Sequence, residues 1–125
     1  MPQKKPMSLY QKNLGKIGEN LAFDFLKSHN FSVLEKNFHS KLGEIDIIAE
    51  KEHCIHFIEV KTRSNVNYGK PFESVNRGKI YHIKKAAQYY LLKNKFEGYK
   101  LKISVFSILI EGEKIDIKFW EDIDK

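Results

Sequence analysis

With 125 residues, 42% of them apolar and 30% charged, the chain is too short to divide into two self-sufficient cores and too ordinary in composition for a disordered or fibrous protein. One domain over residues 1–125 is expected, with 1–8 as a flexible leader. No apolar run approaches the roughly 20 residues that span a bilayer, and the single Cys54 leaves no intrachain disulfide, which argues against membrane and secreted disulfide-stapled classes and for a soluble, cytoplasmic protein. The formal charge of +6 favours polyanionic partners, because cationic side chains that neutralise phosphates release counterions.

Leu14, Ile17, Gly18, Leu21, Ala22 and Phe25 recur at intervals of three and four, which predicts an amphipathic helix over about 9–29 with these residues as its buried stripe. Gly15 and Gly18 each cost roughly 1 kcal/mol relative to Ala inside a helix; either the backbone is closely approached there or the first turn is frayed. Strands are predicted over Phe31–Phe38, Leu42–Ala49 and Cys54–Thr62, the last two separated by the polar Glu50-Lys51-Glu52-His53. Ile55-His56-Phe57-Ile58 suits a strand covered on both faces. Asn, Gly and Pro between Ser64 and Pro71 mark a loop. Asn76 is a candidate cap for a second helix with Ile80, Ile83, Ala87, Tyr90 and Leu91 as its buried stripe, ending near Glu97-Gly98. Lys100–Ile110 and Lys114–Phe119 make a final hairpin around Glu111-Gly112-Glu113. The predicted order is α-β-β-β-α-β-β.

Two short stretches carry candidate chemistry: Gly43-Glu44-Ile45-Asp46 and Phe57-Ile58-Glu59-Val60-Lys61. Residues two apart on a strand share a face, so Glu44 pairs with Asp46 and Glu59 with Lys61. If the intervening turn has an even number of residues, such as Lys51-Glu52, Asp46 falls opposite Phe57 and Glu44 opposite Glu59, and all four line one side of the sheet. Three carboxylates and an ammonium among apolar strands are costly to bury unless they pair or hold a cation. Mg²⁺ prefers carboxylate oxygens and keeps positions for water and phosphate. Alternating Glu and Lys is also what a solvated sheet face shows; the apolar context of both stretches is what sets them apart. The histidines have no zinc-ligand spacing, and Cys54 with His56 reads as core.

Gly15-Lys16-Ile17-Gly18-Glu19-Asn20-Leu21-Ala22, Gly43-Glu44-Ile45-Asp46-Ile47-Ile48-Ala49, Phe57-Ile58-Glu59-Val60-Lys61-Thr62-Arg63, Tyr68-Gly69-Lys70-Pro71 and Lys79 together resemble, in order and spacing, the motifs of the YraN family, small bacterial proteins assigned to the PD-(D/E)XK endonuclease-like fold. The likeness runs over about residues 12–110. It implies an α/β, restriction-endonuclease-like mixed five-stranded sheet flanked by helices. It also implies Asp46 and Glu59 as metal-binding acids, Lys61 as the catalytic lysine, and Glu19 as a helix-borne glutamate that completes the metal site. Ile45 stands where the fold commonly has proline. A later family pattern, Arg-Phe-Asp-Val, is here Lys102-Ile103-Ser104-Val105, so position 104 brings no acid.

The function expected from this reading is a Mg²⁺- or Mn²⁺-dependent endonuclease on nucleic acid, DNA rather than RNA and branched DNA among the candidates, with Asp46, Glu59 and Lys61 catalytic. Asp46, Glu59, Glu19 and Glu44 are the candidate metal ligands, although Glu19 reads equally well as a surface glutamate. Arg63, Lys70, Arg77, Lys79 and Lys84 are the candidate phosphate contacts. The rival readings are a binding module of the same fold that cleaves poorly and, more distantly, an interaction protein using Tyr81, Tyr89 and Tyr90. A homodimer is left open.

Overall fold

The alternating and three-four patterns resolve into α1 (Leu9–Ser28), β1 (Ser32–Ser40), β2 (Gly43–Lys51), β3 (Cys54–Arg63), α2 (Arg77–Lys93), β4 (Lys100–Glu111) and β5 (Lys114–Trp120). The structure, a computed structural model, describes residues 9–64 and 77–123; the predicted leader 1–8, the Tyr68–Pro71 motif with Lys70, and the Asn76 cap lie outside the described residues. The strands form one sheet in the order β1-β2-β3-β4-β5. Neighbours are antiparallel except β3 and β4, which are parallel. A parallel pair needs a crossover, and α2 lies on it. This is the restriction-endonuclease-like α/β arrangement expected above, in the expected element order.

Each face of the sheet has its own core. On one, Ile83, Ala86, Ala87 and Tyr90 of α2 pack with Phe38, Ile45, Ile48, Ile55, Phe57 and Ile103. On the other, Ala22 and Leu26 of α1 pack with Phe31, Ile47, Ala49, Ile58, Phe106 and Ile108. Coverage on both sides explains why β3 and the middle of β4 are apolar almost without alternation. Full burial of a side chain such as Phe57 or Phe106 contributes about 1.5–3 kcal/mol.

The buried stripe of α1 is rotated from the one predicted. Ile17 is 48% exposed while Leu26 is fully buried, because Gly18 rather than a large residue meets the sheet. A Cβ at Gly18 would collide with the hydroxyl and Cβ of Thr62, whereas one at Gly15 would meet nothing. Close approach therefore explains Gly18 alone.

Neither helix needs a glycine to stop. Asn30 (φ 66) and Lys95 (φ 59) take the left-handed conformation, and Phe31 N–H donates to Leu26 O as Phe96 N–H donates to Leu91 O. Those bonds satisfy carbonyls that a helix end leaves open. α2 thus ends at Lys93, earlier than Glu97-Gly98.

Candidate functional site

The β2–β3 hairpin decides where the polar motifs meet. Its turn is Glu52-His53, both left-handed (φ 51 and 62), as a two-residue hairpin turn of matching twist requires. Lys51 therefore pairs with Cys54 and Ile48 with Phe57. The even spacing is as anticipated, but the register lies two residues from the Lys51-Glu52 alternative, so Phe57 faces Ile48 and not Asp46. A shift of two preserves every side chain's face, so the apolar pattern could not distinguish the two registers.

The β2–β3 rungs end at Ile47 and Ile58, with Asp46 and Glu59 next in each strand. There Val60 N–H donates to Asp46 Oδ2 at 2.8 Å, a side-chain carboxylate standing where a backbone carbonyl would serve in a regular ladder. The alternation of β2 breaks at the same point, since Ile45 and Ile48 belong to the core under α2 while Ile47 belongs to the core under α1. On the other side of β2, the rungs Lys36–Ile47 and Phe38–Ile45 flank Asn37, which has φ 52. At this irregularity the Asp46 carboxylate reaches the backbone of β3.

Asp46 and Glu59 open into one cavity of about 420 Å³, lined also by Glu44, Lys79, His82 and Ile83. Glu59 is buried, and its Oε1 receives two ammonium groups, Lys79 Nζ at 2.6 Å and Lys61 Nζ at 3.2 Å. Burial raises the Asp46 pKa to about 6, with the Glu59 charge adding to it and the Val60 hydrogen bond opposing it. Lys61 is held below the usual lysine range, by burial first and then by its contact with Lys79, against the pull of Glu59. Burial is also the largest single influence on Lys79 and lowers its pKa, but its contacts with Glu59 and Lys61 and the charges of Glu59 and Asp46 together outweigh it, and the pKa rises. The pair of lysines is therefore asymmetric: Lys79 is the firmer cation, and Lys61 the one that gives up its proton more readily.

The remaining predicted positions are more dispersed. Glu44 is at the cavity rim, largely exposed and 3.2 Å from His39 Nδ1. Glu19 is on α1 and does not line the cavity, although its charge contributes to raising Asp46. Arg63 donates to Thr62 O at the end of β3. Arg77 and Lys84 are exposed on α2, while Lys79, read as a phosphate contact, is turned inward onto Glu59. Among the described residues, no group of three His, Cys, Asp or Glu side chains is gathered as if around an ion. The donor set that converges is the pair Asp46 and Glu59. Two like-charged carboxylates, one with its pKa raised, fit a hard cation of the Mg²⁺ kind, which binds through one or two carboxylates and otherwise through water and phosphate. His82 and Ile83 complete the cavity wall; only the packing of α2 on β2 brings them there, and no motif announced them.

The other polar residues singled out lie elsewhere. His56 is buried, 3.3 Å from Ser104 Oγ and edge-on to Phe31, so the Cys54–His56 face is core. Tyr90 is buried against Phe38 and Phe57, as its place in the predicted stripe of α2 has it, and so does not form the surface it was grouped into with Tyr81 and Tyr89. No helix among the described residues is long and apolar enough to cross a membrane.

The profile of "Uncharacterised protein family UPF0102", the YraN family, matches residues 18–117. The chain belongs to this family. Relatives carrying the UPF0102 name include one from Caldicellulosiruptor bescii, 46% identical over 82% of this chain and 87% of its own length. One from Clostridium perfringens strain SM101 is 43% identical over 93% and 97%. A third, from Dictyoglomus thermophilum, is 42% identical over 88% and 92%. The UPF0102 match spans every element that carries Asp46, Glu59, Lys61 and Lys79.

Proposed function

We propose that this protein is a divalent-metal-dependent phosphodiesterase acting on nucleic acid, most naturally an endonuclease on DNA. The observation that carries the reading is the convergence of Asp46 and Glu59 on one cavity with Lys61 in contact with Glu59. Asp46 and Glu59 would hold Mg²⁺ or Mn²⁺, with Glu44 within the same cavity. Such an ion, when bound, supplies a water of lowered pKa and neutralises charge on a scissile phosphate. Val60 N–H holds Asp46 in place. Glu59 positions Lys61, whose ammonium presents a proton and positive charge to the oxygens of the phosphate under attack. Arg77 and Lys84 supply attraction along the approach from α2.

One observation favours the second reading, a binding module that cleaves weakly. Lys79 and Lys61 both occupy Glu59 Oε1, so a cation that draws on that oxygen competes with two ammonium groups. Calorimetry with Mn²⁺, run beside cleavage assays on duplex and branched DNA, separates the two. The nuclease reading expects saturable Mn²⁺ binding that disappears in Asp46→Asn and Glu59→Gln, and cleavage that disappears in Lys61→Ala while DNA affinity persists. Wild-type Mn²⁺ affinity equal to that of both acid variants would sink the metal site. DNA binding without cleavage of any substrate would establish the binding module instead.

A further inference from the structure

A second concavity, of about 550 Å³, lies between the β1–β2 turn and the C-terminal half of α2; Phe38 is its floor, Leu42 and Tyr89 are walls, and His39, Lys41 and Lys93 stand around them. We propose that this groove holds an unpaired nucleotide of a nucleic-acid strand, with its base against Tyr89 and Leu42 and its phosphates beside Lys41 and Lys93. The inference deepens the function proposed above and rests on it for the polymer: the substrate becomes nucleic acid with a single-stranded segment next to the reacting bond.

Three features point to a base and a phosphate together rather than to an apolar peptide. Tyr89 and Leu42 are 42% and 44% exposed, and Tyr81, two turns earlier on α2, is 57% exposed. Open aromatic faces of this kind stack on any base. Each tyrosine has a lysine four residues on, Lys85 at 5.5 Å from the Tyr81 ring and Lys93 at 5.9 Å from the Tyr89 ring, so every stacking face comes with a cation. Finally, α2 carries Arg77, Lys79, Lys84, Lys85 and Lys93 and no acidic residue. No acid lines the groove among the described residues, and Glu44, beside it in the chain, is engaged by His39. A polyanion with flat π-faces meets both the open rings and the two lysines that line the groove, Lys41 and Lys93, whereas an uncharged apolar segment meets only the rings.

Position ties the groove to the carboxylate cavity. Gly43 lies on the backbone of His82, where an added Cβ would come within 3.0 Å of the carbonyl oxygen. Glu44 and His82 line the carboxylate cavity, and His39 to Leu42 line the groove. The two concavities therefore share the wall made by the β1–β2 turn against α2. A strand whose phosphate reaches Asp46 and Glu59 passes directly from His82 toward Tyr89.

Fluorescence anisotropy with a labelled short oligothymidylate and, separately, a labelled blunt duplex tests this, with Tyr89→Ala and Tyr89→Phe compared to wild type and their folding checked by circular dichroism. Tyr89→Ala should weaken oligothymidylate binding about tenfold or more, leave duplex binding unchanged, and be rescued by Tyr89→Phe, which keeps the ring. Unchanged oligothymidylate affinity in Tyr89→Ala, or equal weakening in both variants, overturns the proposal. So does a wild type that binds duplex but not oligothymidylate, and in that case the nuclease reading survives. A wild type that binds neither removes both. Sedimentation of the same variants covers a second copy of the chain as occupant: a dimer that falls apart in Tyr89→Ala with oligothymidylate affinity intact assigns the groove to self-association and overturns the nucleotide reading.

Discussion

Asp46 is held at the cavity by the Val60 N–H while burial and Glu59 disfavour its charge. Its folded pKa of about 6 lies above the ordinary 3.8, so the folded state binds the extra proton. The associated stability is complete below about pH 4 and is lost as pH rises through about 6. At neutral pH the ionised carboxylate is thus a burden on the fold. Asn keeps the shape and the acceptor for Val60 without the charge. With allowance for partial solvent exposure, we expect Asp46→Asn to be more stable than wild type by about 1–2 kcal/mol at pH 7.5, with the gain shrinking toward zero near pH 4. Urea unfolding at the two pH values measures this; a gain independent of pH would show that charge is not the cause. Lys79 gives a companion expectation, because it competes for Glu59. Lys79→Met should tighten Mn²⁺ binding severalfold in calorimetry, and weaker binding would mean that Lys79 supports the ion instead of excluding it.

The two glycines of α1 look alike in the sequence and differ in their surroundings. At Gly15 an added methyl meets nothing, so Gly15→Ala should stabilise by up to about 1 kcal/mol through helix propensity. At Gly18 the methyl meets Thr62 Cβ at 3.0 Å as well as its hydroxyl, and rotating the threonine does not clear its Cβ. Gly18→Ala should therefore destabilise by about 1–3 kcal/mol. Thermal melts of the two variants should shift in opposite directions; a shared direction would mean that α1 does not lie this close to β3. Because Thr62 follows Lys61, the Gly18 contact also anchors the end of β3 that presents Glu59 and Lys61 to the cavity.

For the molecule as a whole, the +6 charge matters through its distribution. With no acid on α2, that helix is the surface on which phosphates would be neutralised. Reversing Arg77, Lys84 and Lys85 together should weaken duplex binding and flatten its dependence on log salt concentration by roughly one unit for each phosphate that is no longer neutralised. Anisotropy across a salt series reads the slope, and an unchanged slope would place the phosphates elsewhere. Lys79 is left out of that set because its ammonium is committed to Glu59, so reversing it would probe the cavity rather than the surface.

Element order, the two amphipathic helices, the doubly covered strand β3 and the family motifs could all be read from the chain, because periodicity and local composition act over a few residues and survive without tertiary context. The same local rules placed Glu59 and Lys61 on one face. They could not choose between hairpin registers two residues apart, since both bury the same apolar set, nor foresee that Glu52 and His53 would take the left-handed turn. Nor could they give Gly15 and Gly18 their different reasons, or separate Lys79 from its cationic neighbours on α2. Each of those distinctions depends on what lies opposite: Thr62 across from Gly18, and Glu59 beneath Lys79. The carboxylate cavity itself arises from long-range packing, because Asp46, Glu59 and Lys79 come from three elements that meet only when α2 crosses back over the sheet.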